Sequence, residues 1–132
     1  MIFKDKLCQK VLDGTKTQTR RLVKGGDFIV DWPMPCVFRP TKNGGSRLAW
    51  RENQTYAVQP GRGKHAVGRI GIIKIRRECL NAINHDDAQA EGVGRSLAAF
   101  AELWDSIHPK GKRWKDNPEV WVLEFELFHE RR

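Results

Sequence analysis

The run Lys10-Val11-Leu12-Asp13-Gly14-Thr15-Lys16-Thr17-Gln18-Thr19-Arg20-Arg21 changes its period halfway along. Up to Asp13 the pattern is helical over residues 4–13. Leu7 with Val11, and Cys8 with Leu12, are i, i+4 pairs on one face, and Lys4, Lys6, Gln9 and Lys10 supply a polar face. Gly14 falls where a helix ends in left-handed backbone, which glycine adopts without a Cβ clash. Beyond it the β-branched Thr15, Thr17 and Thr19 alternate, which favours extended chain. A helix thus hands over directly to a strand. The turn from 14 to 21 presents a hydroxyl nucleophile, an amine that can deprotonate it, and guanidinium groups that can hold a phosphate.

Working outward, residues 24–48 are the least regular part. Gly25-Gly26, Pro33, Pro35, Pro40 and Asn43-Gly44-Gly45 punctuate two short strand patterns, Phe28-Ile29-Val30 and Cys36-Val37-Phe38. The segment reads either as an insertion forming a rim or lid, or as a twisted hairpin with a long loop. Strand patterns recur at 47–50, 56–58, 68–77 and 120–128. Residues 86–91 read as a short helix capped by Asp86 or Asp87 and ended by Gly92. Glu91 sits in its last turn, where the helix dipole disfavours a carboxylate, so a partner elsewhere is expected. Ser96 caps a second helix with Leu97, Phe100, Trp104 and Ile107 on one stripe, ended by His108-Pro109.

Two loops are basic. Gln59-Pro60-Gly61-Arg62-Gly63-Lys64-His65 resembles a phosphate loop, yet no Ser or Thr follows the lysine and a β-rich run follows the glycines. It therefore matches neither a nucleoside-triphosphate loop nor a dinucleotide fold, and no cofactor is expected. Arg62, Lys64 and His65 suit contact with a phosphate backbone. Lys110 to Lys115 carries Trp114, either a base-stacking platform or a cover for one end of the core.

The 132 residues carry a formal net charge of +8, which draws the chain towards polyanions, RNA or nucleotides first. With 39% apolar residues and five tryptophans the chain is folded rather than disordered, and one domain over 1–132 is expected, with 24–48 either an insertion or a hairpin within it. No apolar run approaches the roughly 20 residues of a membrane helix, and the N-terminus does not read as a signal peptide. Cys8, Cys36 and Cys79 form neither a disulfide framework nor a zinc pattern; no metal is expected, and free thiols fit a cytoplasmic protein. The element count suggests an α+β fold, a small barrel of five to six strands with flanking helices.

The order of these motifs resembles the ASCH domain family. The resemblance is carried by Lys10 to Arg21, by Arg47-Leu48-Ala49-Trp50-Arg51-Glu52, and by Gly68-Arg69-Ile70 leading to Ile75-Arg76-Arg77-Glu78. It continues through Asp87 to Gly92, the helix with Phe100 and Leu103-Trp104, and the strand Val120-Trp121-Val122-Leu123-Glu124-Phe125. It implies a PUA-like β-barrel with a cleft for RNA or a nucleoside. Some small members of that family are amidohydrolases acting on N(4)-acetylcytidine, and others are described as ribonucleases. Carried over by position, the implied catalytic set is Lys16, Thr19 and Glu91. Arg20, Arg21, Trp50, Arg51, Arg62, Lys64 and Trp114 are the expected nucleic-acid contacts.

The chemistry admits three readings. For amide hydrolysis Thr19 attacks, Lys16 with a lowered pKa takes its proton, and Glu91 protonates the leaving amine. In a non-catalytic RNA-binding module, Lys16, Arg20 and Arg21 hold phosphate and Glu91 pairs with a cation. A ribonuclease needs a lysine or histidine at the 2′-hydroxyl, and His65 and His85 are the candidates.

Overall fold

The computed structural model describes residues 1–128; the terminal Arg131-Arg132 pair lies outside them. The element order is α1 (Asp5–Asp13), β1 (Gln18–Leu22), β2 (Phe28–Val30), β3 (Cys36–Pro40), β4 (Ser46–Arg51), β5 (Thr55–Val58), β6 (Gly68–Cys79), α2 (His85–Glu91), α3 (Leu97–Ile107) and β7 (Glu119–Leu127). Short 3-10 turns at Leu80–Ala82 and Trp114–Asp116 precede α2 and β7.

The strands form two antiparallel sheets, one ordered β1-β7-β6-β5 and one ordered β2-β3-β4. The class is α+β and the architecture PUA-like, as expected. There are seven strands rather than five or six, and among the described residues the ladders do not close into a barrel.

β7 organises the core. It lies between β1 and β6, and both of its faces are covered. Val120 and Val122 pack with Leu80, Ile83, Ala88, Phe100 and Trp104 under α2 and α3. Trp121 and Leu123 pack with Val37, Ile72 and Ile75, against which Ala49 and Trp50 of β4 close. Coverage on both sides is why alternation gives way to four consecutive buried residues from Val120 to Leu123. α1 joins through Cys8 and Val11, which meet Phe3, Val58, Ile70 and Phe125.

The helix-to-strand switch occurs where the sequence places it. Gly14 has φ +84° and its N–H reaches the Val11 carbonyl. The segment 24–48 builds most of the smaller sheet and stands against Trp121 and Leu123. One expectation fails in detail. α2 is capped by Asn84, which accepts from the Asp87 N–H at 2.8 Å while the Asp87 carboxylate returns a bond to the Asn84 N–H. Asp86 and Asp87 lie inside the first turn instead, where the dipole favours them.

Candidate functional site

Two helix ends and one strand meet at Lys16. The C-terminus of α1 leads to it, and the Lys16 N–H bonds back to the Lys10 carbonyl at 3.0 Å. The C-terminus of α2 lies against it, with the Thr17 N–H on the Ala90 carbonyl at 2.7 Å and the Lys10 ammonium on the Gly92 carbonyl. Gly92, at φ +96°, ends α2 where an added Cβ would stand 3.4 Å from Lys16 Cβ and 3.2 Å from Lys10 Cδ. A larger residue there would be strained and would crowd the lysine.

Lys16 is 2% exposed. Its ammonium donates to Glu91 Oε1 at 2.8 Å, to the Glu91 carbonyl at 2.9 Å and to the Gln18 carbonyl at 2.7 Å. The other Glu91 oxygen, Oε2, accepts from Arg20 Nη1 at 2.9 Å. Arg20 also bonds Gln18 Oε1 and Glu78 Oε1, and lies 3.3 Å from Asp87 Oδ2. Arg76 extends this network to Glu78, Asp87 and Glu124. The partner that Glu91's unfavourable helix position called for is thus a pair of cations. Burial drives the Lys16 pKa below its ordinary value, against the pull of Glu91; Arg21 and Arg20 add smaller pushes in the same direction as burial. Desolvation is the main cause of the lowering, and the neighbouring arginines are minor ones.

These groups open on a cavity of about 240 Å³. Lys16, Thr19, Arg20, Arg21 and Glu91 supply its polar floor, and Phe3, Leu7, Phe100, Leu103, Trp104 and Ile107 its apolar wall, with His108 beside them. In the ladder Thr19 and Arg21 stand opposite Leu123 and Trp121, while Arg20 stands opposite Val122 on the other face. Residues of both faces of β1 line the cavity, so it runs along the open edge of that strand. A mostly apolar hollow with a few convergent polar groups is the form a small-ligand site takes. Two buried donors have no protein partner among the described residues, Arg20 Nε and Arg21 Nε.

The structure therefore brings together Lys16, Thr19, Glu91, Arg20 and Arg21. It does not bring the other expected contacts to the cavity. Arg20 itself is 4% exposed with its guanidinium on carboxylates, so it is no free phosphate contact. Trp50 is half-buried, packed on the core beneath Arg39. Trp114 is half-buried, stands edge-on to Phe100 at 6.2 Å and covers one end of the core. Arg62 and Lys64 are exposed in a turn closed by the Lys64 N–H on the Gly61 carbonyl, and Arg51 is exposed at the end of β4. Neither His65 nor His85 lines the cavity.

The sequence reading missed His108 and the wall of α3. Phe100, Trp104 and His108 recur every four residues, and the stripe was read as core alone. His108 stacks on Trp104, ring centroids 3.7 Å apart, and its Nδ1 lies 3.0 Å from the Trp104 carbonyl. That contact assigns the proton to Nδ1 and leaves Nε2 as an acceptor. Burial lowers the His108 pKa, so the ring is neutral at neutral pH.

Among the described residues no group of three or more His, Cys, Asp or Glu side chains is placed to hold a metal ion, and no helix is long and apolar enough to cross a membrane.

Neither a protein-family model nor a curated protein sequence matches this chain. Solved structures do. The ASCH domain from Lactobacillus crispatus JV V101 is similar with a TM-score of 0.61 and 19% identity, over 93% of this chain and 70% of that one. Protein EF3133 from Enterococcus faecalis V583 (family model DUF984) is similar with a TM-score of 0.60 and 18% identity, over 96% of this chain and 76% of that one. At such identities the likeness concerns the backbone and transfers no site residue. Its extent, together with the sheet order and the helix-to-strand switch, identifies the fold of this chain as that of an ASCH domain.

Proposed function

We propose that the cavity binds a modified pyrimidine nucleoside, free or within RNA, and hydrolyses an amide on its base, with N(4)-acetylcytidine as the substrate to test. The observation that carries this reading is the Lys16–Glu91 pair at 2.8 Å, opening on the same cavity as Thr19. The apolar wall suits a planar base, and the unpartnered arginine N–H groups suit an oxygen acceptor. An ASCH-type fold supports a nucleic-acid ligand by resemblance.

The resting Lys16 is an ammonium held by three acceptors. Proton transfer to Glu91 converts the buried ion pair into a neutral amine and a carboxylic acid, the base and acid that the reaction needs. Low polarity favours this exchange, and Arg20 on the far Glu91 oxygen opposes it. The Thr19 hydroxyl then adds to the acetyl carbon as Lys16 accepts its proton. The C–N bond breaks as Glu91 delivers a proton to the amine, releasing cytidine. Water cleaves the acetyl-threonine ester to give acetate. An arginine N–H faces the oxyanion in both steps.

Incubation with N(4)-acetylcytidine, followed by chromatography, is expected to yield cytidine and acetate. Turnover should fall as pH rises through the Lys16 pKa, which lies below the ordinary lysine value of 10.5, because the pair then loses the proton that Glu91 delivers to the leaving amine. Activity equal to wild type in Lys16→Met and Thr19→Val would overturn the reading.

A second reading has its own support. Because all three Lys16 protons are already accepted, the pair also suits a fixed floor of a binding pocket. Nucleoside affinity without turnover, retained in Thr19→Val, is the outcome that favours it. No observation favours ribonuclease action at His65 or His85.

A further inference from the structure

The outer face of the small sheet combines exposed aromatic and aliphatic side chains with unpaired cations. In register, Phe28 stands opposite Phe38 and Phe38 opposite Leu48; Val30 stands opposite Cys36 and Cys36 opposite Arg51. Directly opposed residues share a face. The inner face belongs to Val37 and Trp50, also opposed, which pack on Ile72, Trp121 and Leu123. The Phe28–Phe38–Leu48 row therefore looks outward. Phe28 and Phe38 lie nearly parallel, 17° apart with centroids at 5.5 Å, and Phe28, Val30 and Leu48 are exposed. Trp32, just beyond β2, is 83% exposed. An indole so placed does no packing in the fold, and its hydration is unfavourable.

The charge around this face has one sign. Lys24, Lys42, Arg47 and Arg51 are exposed, and none takes part in an ion pair among the described residues. Asp31 is the one exposed acid between residues 24 and 51, because Asp27 is buried on Arg39. Flat rings with free cations around them match bases joined by phosphates. They match a second copy of the same face poorly, since a two-fold contact would oppose the cations to one another.

We propose that this face binds single-stranded nucleic acid, its bases stacking on Trp32 and the Phe28–Phe38 pair and its phosphates meeting Arg51, Lys24 and Lys42. The face shares no residue with the cavity, so it is a second site and does not depend on hydrolysis there. Stacking accepts any base, and the expected binding is tolerant of sequence and steep in salt.

The test is fluorescence anisotropy with a labelled oligouridine of about a dozen nucleotides, a length within the span of small single-strand binders. Trp32→Ala is expected to weaken binding roughly five- to a hundredfold, the range for loss of one stacked base. Lys42→Glu with Arg51→Glu should weaken it further and lower the slope of log affinity against log salt by about two. Both variants change exposed side chains, and circular dichroism checks that they fold. An excess of N(4)-acetylcytidine should leave the oligouridine bound. Wild-type affinity in both surface variants would overturn the proposal. So would displacement by the nucleoside, which places the strand at the cavity. A dimer in sedimentation that Trp32→Ala dissolves would also overturn it, by giving the face to a second copy.

Discussion

Glu91 and Asp27 are both carboxylates buried in a strongly basic chain, 4% and 8% exposed, and they sit in opposite circumstances. Asp27 is closed. Its oxygens accept from Arg39 Nε and Nη2 at 3.0 and 2.9 Å, from the Trp121 indole at 3.0 Å and from the Lys24 N–H at 2.9 Å. It ties the loop after β1 to β3 and β7, and it does not line the cavity. Glu91 is shared between two cations that belong to a wider network, which keeps one buried donor, Arg20 Nε, without a protein partner, and Lys16, Arg20 and Glu91 line a cavity. Buried charge by itself is no mark of function; structural pairs are common. Capacity left over at the edge of the network is what separates the two. Asp27 has each acceptor matched by a fixed neighbour, whereas the Glu91 cluster has a donor still to satisfy.

Exchanging each carboxylate for its amide tests this contrast most severely. Glu91→Gln should lower turnover of the modified nucleoside about 10²- to 10⁴-fold, the usual worth of a general acid. Asp27→Asn should leave the turnover of the folded protein unchanged. Steady-state kinetics on both variants would break the comparison if the losses were equal.

Stability should separate them in the other direction. Asp27→Ala strands Arg39 and the Trp121 indole, and urea denaturation should record a loss of about 3–5 kcal/mol, the cost of breaking a buried pair. Trp121→Phe removes one bond to the same carboxylate and should lose about 1.5–3 kcal/mol, the range for bonds to charged groups. An unchanged midpoint in that variant would mean the indole contact contributes nothing.

The smallest effect is in acid. Burial raises the Asp27 pKa, but bonds from Arg39, the Lys24 N–H and Trp121 outweigh it and hold the carboxyl below its ordinary 3.8. Its contribution to stability is thus fully present above pH 3.8 and is lost as pH falls through the lower folded value. Asp27→Asn should flatten the acid limb of a stability profile between those values; a profile parallel to wild type would contradict it.

Most of this fold was readable from periodicity. The end of α1 at Gly14, the Ser96 cap and the stripe of α3 are local signals, and they lie where the sequence places them, whereas β1 begins at Gln18, later than the extended run expected from Thr15. The cap of α2 was misplaced by a few residues because Asn84, Asp86 and Asp87 are all good capping types, and only the reciprocal bond of Asn84 with Asp87 chooses among them. Lys16 and Glu91 were legible through resemblance, and Glu91 also through its poor position on α2. Asp27 was not. Its partners lie 12 and 94 residues away, and nothing local distinguishes it from a loop aspartate. His108 was read only as a helix end, because a stripe cannot say which part of it stays uncovered. Trp114 shows the converse: its neighbours left two placements open, and it packs edge-on to Phe100.

The sheet order carries a consequence in time. β1 has a single strand neighbour, and that neighbour is β7. On a ribosome the helix-to-strand turn emerges early, yet Thr19 has nothing to pair with until Leu123 follows, and Lys16 waits for Glu91. Contacts that span most of a chain are slow to form. Until the last strand arrives, the growing chain holds two buried-type cations, Lys16 and Arg20, without the walls that bury them. The strand that carries Thr19, Arg20 and Arg21 to the cavity gains its sheet partner only with β7.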